Sequence, residues 1–66
     1  MAVHLAAERH GHRIHCELRN HGVYGVEAQL YRDKEFYAGR RFNERADALV
    51  HAAKVRQDLE RDGWRV

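Results

Sequence analysis

Six histidines and one cysteine are the residues of this 66-residue chain that bind metals or attack substrates most readily. Several of them fall within residues 10–16, where His12 and Cys16 are close in sequence. A structural zinc site needs four such ligands in a tetrahedron. On a strand, however, His12 and Cys16 share one side while His15 lies on the other. The chain also has no second cysteine, and we therefore predict no metal site and no cofactor.

Cys16 with His15 or His51 also provides the residue types of a nucleophile and its base. No third residue at a recognisable spacing would orient that base. Cys16 alternates with apolar residues, which predicts a buried and unreactive thiol. A chain this short is also unable to enclose a sizeable ligand cavity. We predict a protein that is not an enzyme and has no small-molecule substrate.

Cationic, polar and aromatic side chains recur at alternate positions of the strand-like segments. Such a surface can contact phosphates and either stack on bases or read their edges. Glu17 and Glu27 share that surface and would repel phosphate. The alternative is a solvated surface on which Glu27 pairs with Arg19 or Arg41 across the strands. The predicted nucleic-acid contacts are Arg13, His15, Arg19, Gln29, Tyr31, Lys34, Tyr37 and Arg41.

Three strands would position these residues. The segments 13–19, 23–32 and 35–41 alternate between apolar and polar positions, which is typical of half-buried strands. Asp33 and Lys34 predict the tip of a hairpin between the second and third strands. The positions assigned to the buried side of the sheet are Ile14, Cys16, Leu18, Tyr24, Val26, Ala28, Leu30, Phe36 and Ala38.

An alanine-rich helix follows, with Asn43 as its predicted N-cap and its end near Asp62. Gly63 is predicted to be the left-handed residue after the helix, with Trp64 packing back on the last turn. The apolar arc of this helix is roughly 220° wide, which is more than one small sheet covers. Either the N-terminal arm or a second copy would cover the remainder. The predicted interface residues are Leu49, Val50 and Ala53.

These elements predict the α+β class, as a three-stranded antiparallel meander followed by one C-terminal helix on one face. Residues 12–66 would form this single domain, and residues 1–11 an N-terminal arm that is partly disordered. The net charge of +2 and the pI of about 9.0 are mildly basic and compatible with a nucleic-acid partner. No signal peptide and no membrane-spanning run is recognisable, which predicts a cytoplasmic protein without membrane contact.

The order of three strands and a helix, with residues 38–43 (Ala-Gly-Arg-Arg-Phe-Asn) leading into the alanine-rich segment, resembles two groups of DNA-binding domains. One is the N-terminal arm-binding domain of tyrosine recombinases, and the other is the ethylene-response-factor domain of plants. The resemblance spans roughly residues 13–59 and implies that the outer face of the sheet enters the DNA major groove. The chain also looks like short uncharacterised bacterial proteins of the same plan that end in Gly-Trp.

The sequence therefore predicts a small non-enzymatic binding module. The leading hypothesis is a nucleic-acid-binding accessory protein that contacts DNA or RNA with the solvent face of its sheet. The alternative is a protein-interaction or regulatory subunit, assembled as a homodimer or with another protein through the wide apolar face of its helix.

Overall fold

The computed structural model of the protein describes residues 3–66. Its elements are β1 (Val3–Arg9), β2 (His12–Asn20), β3 (Val26–Arg32), β4 (Glu35–Phe42) and α1 (Arg45–Arg61). The four strands form one antiparallel sheet in the order β1-β2-β3-β4. The predicted α+β class, the antiparallel meander and the C-terminal helix are confirmed, while the predicted number of three strands is corrected to four.

The additional strand is β1, which forms where the sequence suggested a partly disordered arm over residues 1–11. Its side chains alternate, and Leu5 and Ala7 are buried. His10 and Gly11 form the turn to β2, both with positive φ angles of 50° and 79°. Two such residues match the right-handed twist of a hairpin, so the arm folds back as a strand. Residues 1 and 2 of the predicted arm lie outside the described residues.

The core lies between α1 and the side of the sheet that faces it. Cys16 is fully buried, and Ala48 and Ala52 of α1 are buried almost completely. These small side chains let the helix approach the sheet closely, in agreement with close packing of protein interiors. The central cluster consists of Leu5, Ala7, Ile14, Cys16, Ala28 and Leu59, with Leu18, Leu30, Phe42, Val55 and Trp64 packed against it.

A β-bulge in β4 reverses the side to which one predicted core residue points. Leu30 pairs with Ala38, but the next residue, Tyr31, pairs with Phe36. Tyr37 is therefore an extra residue, and the alternation of side chains changes parity across it. Phe36 lies on the same side as Tyr31 and is 56% exposed. The prediction that Phe36 belongs to the core was wrong.

The connection between β2 and β3 is a 3-10 turn, Gly22–Tyr24, so β3 begins three residues later than predicted. Tyr24 lies in this turn and is 71% exposed, contrary to its assignment to the core. Gly25 follows with φ +92° and ψ −153°, a region that is essentially limited to glycine. A β-carbon on Gly25 would also collide with the carbonyl oxygen of Phe42. The chain between β4 and α1 therefore passes directly over Gly25.

The helix begins after Glu44 and not after Asn43. The pairing of Val26 with Phe42 keeps the chain extended as far as residue 42. Asn43 and Glu44 are then needed to redirect the chain, and Glu44 caps the helix without a side-chain hydrogen bond. The predicted capping role of Asn43 was wrong for this reason.

The predicted end of the helix is confirmed. Gly63 has a φ of +89°, and the amide of Trp64 donates to the carbonyl of Leu59 at 2.9 Å, as in a Schellman motif. Arg65 then exchanges two backbone hydrogen bonds with Glu8, at 2.8 and 2.9 Å. The C-terminal segment thus pairs with part of the outer edge of β1.

The apolar stripe of α1 that packs on the sheet consists of Ala48, Ala52, Val55 and Leu59, and His51 packs beside it against Phe42. The predicted interface residues Leu49, Val50 and Ala53 lie on the exposed surface of the helix. Among residues 3–66, no helix has the length and apolar character needed to cross a bilayer.

Replacing Gly25 tests the close approach at the β2–β3 connection. We expect Gly25→Ala to lower the free energy of unfolding by about 3 kcal/mol or more, because it adds a collision to backbone strain. Gly22→Ala is the matched control. Gly22 also has a positive φ of +61°, but nothing lies within 4 Å of its added β-carbon, so about 1 kcal/mol is expected. Urea unfolding followed by circular dichroism measures both, and equal losses would contradict the observed packing.

Candidate nucleic-acid interface

The side of the sheet that faces away from α1, here called the open face, carries polar and aromatic side chains in rows across the strands. His15, Tyr31 and Phe36 form one row, since each lies opposite the next on adjacent strands. Glu17 lies opposite Gln29 in the following row. The strand pairing brings to this face six predicted contacts: Arg13, His15, Arg19, Gln29, Tyr31 and Arg41.

Three rings pack against one another across the strands, and they are called the ring row below: His15, Tyr31 and Phe36. The rings of His15 and Tyr31 are stacked, with centroids 4.7 Å apart and planes 5° from parallel. Phe36 packs edge-to-face with Tyr31 at 5.7 Å and 77°. Because His15 and Phe36 come from strands on either side of β3, both sides of the Tyr31 ring are occupied. The Tyr31 hydroxyl also donates to Oε1 of Gln29 at 2.8 Å. Tyr31 and His15 are partly buried, and Phe36 is the most exposed ring of this row.

Glu17 is held by two basic neighbours on its own strand. Nε2 of His15 lies 3.0 Å from its Oε2, and Nη2 of Arg19 donates to its Oε1 at 3.2 Å. The Glu17 side chain is only 15% exposed, so solvent screens these contacts less than it screens an ordinary surface pair. The predicted contacts His15 and Arg19 are therefore bonded to Glu17 inside the protein, and Arg19 offsets its charge.

Glu27 is held by a residue that the sequence did not indicate. Nε2 of His21 lies 3.0 Å from Oε1 of Glu27, and Nε2 of Gln29 donates to the same oxygen at 2.9 Å. The hydrogen bond with His21, then the one from Gln29, lower the pKa of Glu27 below its ordinary value, and Arg41 contributes least. Arg19 and Arg41 do lie opposite Glu27 on the neighbouring strands, but the carboxylate bonds to His21.

Three exposed cationic side chains at the margins of the open face take part in no ion pair within residues 3–66: Arg13, Lys34 and Arg41. Arg13 lies opposite Glu8 of β1, at the hairpin end of the sheet. Arg41 lies near the other end of β4. Both ends of the open face therefore present a cation to solvent.

Lys34 lies in the hairpin tip that the sequence predicted. Asp33 and Lys34 have φ angles of 50° and 74°, as a two-residue hairpin turn requires. One oxygen of Asp33 accepts the backbone amide of Arg13 at 2.8 Å, and the other lies 2.8 Å from Nδ1 of His12. The bond with His12, followed by that with Arg13, lowers the pKa of Asp33. The tip that presents Lys34 is thus fastened to β2.

Tyr37 is separate from the rows of the open face. As the extra residue of the bulge, it lines a shallow depression at the hairpin end together with Ile14 and Arg32. The alternation that placed Tyr37 with Tyr31 and Arg41 was counted through the bulge, so it does not assign Tyr37 to their rows. Phe36 occupies the position opposite Tyr31 instead.

The histidines near Cys16 do not converge on it. Within residues 3–66, no group of three or more histidine, cysteine, aspartate or glutamate side chains is arranged to hold a metal ion. Burial raises the pKa of the Cys16 thiol, and the neighbouring carboxylate of Glu17 raises it further. The thiol is therefore protonated at neutral pH and unreactive.

His51, considered above as a possible base for Cys16, lies between α1 and β4. Its ring centroid is 5.2 Å from that of Phe42, and the guanidinium of Arg40 lies over the same Phe42 ring at 5.1 Å. Burial lowers the pKa of His51, and the nearby charges of Arg40 and Lys54 lower it further. The folded state thus favours a neutral His51.

Sequence reasoning missed Phe36 and His21 as members of this surface. The signal for Phe36 was present, since two adjacent aromatic residues are followed by Ala38 and by a glycine within the strand. A β-carbon on Gly39 would lie 3.2 Å from the Phe36 ring and 2.9 Å from a Glu27 oxygen. The Glu27 carboxylate and the Phe36 ring thus lie over Gly39, which has no side chain to displace them. His21 lies in a turn, outside any alternating pattern.

Comparison with known protein families, with curated proteins and with solved structures finds no match to this chain. The resemblance to the DNA-binding domains of recombinases and ethylene-response factors therefore stays a prediction. The function has to be argued from the open face itself.

The lowered pKa values predict a loss of stability in acid. Each contribution is present above the ordinary pKa and disappears as the pH falls through the lowered value in the folded protein. For His51 this loss begins below pH 6.5, and for Glu27 below pH 4.5. We expect His51→Gln to remove the first component and Glu27→Gln the second. Urea unfolding at several pH values measures both. A constant difference between wild type and His51→Gln from about pH 7.5 to about pH 5 would contradict this assignment.

Proposed function

We propose that this protein is a cytoplasmic nucleic-acid-binding module and that the open face is its contact surface. One observation carries the proposal. Glu17 and Glu27, the two carboxylates in the middle of the face, are each held by neighbours in the protein, whereas three cations at its margins are not paired. Arg19 offsets the charge of Glu17, whereas Glu27 keeps its charge because its pKa is lowered, so we place the phosphate contacts at the margins of the face and not in its middle.

Seven of the eight predicted contacts then divide into two roles. Arg13, Lys34 and Arg41 would contact phosphates, because a lysine or arginine that neutralises a phosphate releases condensed counterions. The exposed Tyr37 lies at the hairpin end near Lys34. The remaining residues position the surface through the bonds described above: His15, Arg19, Gln29 and Tyr31.

The phosphate contacts are tested by removing one charge at a time. We expect Arg13→Ala, Lys34→Ala and Arg41→Ala each to weaken binding to labelled oligonucleotides. Each should also reduce the slope of log K against log salt by about 0.7 to about 0.9, which is the contribution of one phosphate contact. Fluorescence anisotropy at salt concentrations between about 50 and about 200 mM measures this slope.

Arg56→Ala is the matched control for these variants. It removes the same charge from the exposed surface of α1, on the other side of the molecule, and should leave the slope unchanged. Absence of wild-type binding at about 50 mM salt, where phosphate contacts are strong, would refute the proposal. If Arg56→Ala reduced the salt slope as much as the other three substitutions, the phosphate contacts would not be specific to the open face.

A second candidate function is protein assembly through the outer surface of α1. Val50 is 70% and Leu49 is 38% exposed, and Ala53 beside them is exposed as well. An exposed apolar surface on a helix is a frequent site of association. A small domain without disulfides also gains burial by pairing. This function would involve a second copy or a protein partner at Leu49, Val50 and Ala53.

The assembly hypothesis predicts that Leu49→Glu and Val50→Glu convert an oligomer into a monomer, since each places a charge in an apolar contact. Val23→Glu is the control, because it adds the same charge at an apolar residue of the β2–β3 turn, away from α1, that is 95% exposed. Arg41→Ala should leave the assembly intact. Light scattering coupled to size exclusion measures the mass. A wild-type chain that is monomeric at its highest soluble concentration, and that Leu49→Glu does not change, would argue against self-assembly.

A further inference from the structure

We infer that the open face accepts single-stranded nucleic acid and not a duplex, with Phe36 as the side chain on which a base stacks. This inference rests on the proposed function and adds the class of ligand. It follows from three features of the structure: the width of the sheet, the exposure of Phe36, and the placement of the unpaired cations along β4.

The width of the sheet argues against docking in a DNA groove. Neighbouring strands are about 4.8 Å apart, so the axes of the outer strands of a four-stranded sheet are about 14 Å apart. The major groove of B-DNA is about 12 Å wide and admits a helix or a two-stranded ribbon. The fourth strand is also fixed, because β1 pairs with β2 on one side and with Arg65 on the other. The groove docking that the resemblance implied depended on a narrower sheet.

Phe36 is the ring that can receive a base. His15 and Phe36 occupy the two sides of Tyr31, whereas Phe36 is the outermost member of the ring row and is 56% exposed. Gly39 beneath it has no side chain, so the ring lies over the backbone of β4. Stacking on an aromatic side chain requires a base whose face is free. The bases of a duplex are stacked on each other, and a single strand can present its bases unstacked.

The charges favour a strand that runs along β4. Lys34 precedes Phe36 at the hairpin tip, and Arg41 follows it on the same face. Both cations are unpaired within residues 3–66. Glu27, which lies opposite Arg41, is held by His21. The exposed Glu35 of β4 pairs in register with Arg32, on the side of the sheet that carries Ile14. On β1, by contrast, the exposed carboxylate of Glu8 lies opposite Arg13. A backbone with phosphates near Lys34 and Arg41 avoids that carboxylate and places a base over Phe36.

The experiment compares four labelled ligands of equal length at one salt concentration. They are oligothymidylate, oligouridylate, a mixed-sequence DNA duplex, and an abasic oligonucleotide that keeps the phosphates but lacks the bases. We expect the wild type to bind a single strand more tightly than the duplex. Phe36→Leu should weaken single-strand binding by about fivefold to about a hundredfold, as the loss of one stacked base does. On the abasic ligand the same substitution should have no effect.

Two further variants make the result interpretable. Phe36→Trp keeps an aromatic face and should retain single-strand binding, which also serves if Phe36→Leu fails to fold. Tyr24→Leu removes an exposed ring from the β2–β3 turn and should change nothing. The comparison of oligothymidylate with oligouridylate shows whether the protein prefers single-stranded DNA or RNA.

Three outcomes would overturn the inference. Duplex binding that is as tight as single-strand binding would remove it while leaving the proposed function intact. An equal loss for Phe36→Leu on the abasic and the base-containing ligands, or no loss on either, would remove the stacking role. Absence of binding to all four ligands at about 50 mM salt would remove the proposed function as well.

Discussion

A single helix of seventeen residues has to cover a four-stranded sheet, and it covers one side only. On that side the protein uses small residues, since Cys16, Ala28, Ala48 and Ala52 are nearly or completely buried. The helix therefore approaches closely, and the core remains thin. On the other side no layer of described residues covers the sheet, so its side chains shield each other.

This mutual shielding follows the geometry of a strand, in which residues two apart point to the same side. Along β2, Glu17 bonds to both His15 and Arg19, its neighbours at that spacing. Along β3, Gln29 joins Glu27 to Tyr31. In both sets of side-chain hydrogen bonds the carboxylate is only partly buried and has several partners, which limits the cost of its desolvation. The carboxylates in the middle of the open face are therefore held by neighbouring side chains, and the unpaired cations remain at its margins.

The parts of the fold that depend on local alternation could be predicted from the sequence. Strand β2, the hairpin at Asp33 and the helix end at Gly63 are examples, because the side-chain period and the turn residues determine them. Strand β1 was missed because alanine is uncommon in strands, although Leu5 and Ala7 alternate correctly. The partner of Glu27 was missed because His21 reaches it from a turn. Such a contact depends on the path of the chain in space and not on spacing along it.

Two local events change the chemistry that the open face offers. The extra residue at Tyr37 moves Phe36 from the core side to the open face and exposes a ring beside Tyr31. The turn at His10 and Gly11 adds a strand and widens the face beyond three strands. Neither event alters the α+β fold. Each changes the open face, one by exposing a ring and the other by widening it, and so affects which ligand the face could accept. A three-stranded face was expected to enter a groove, whereas the wider face with Phe36 exposed and cations at both ends is the basis for the single-stranded ligand proposed above. Small changes of register can thus redirect the proposed function of a sheet while its topology is preserved.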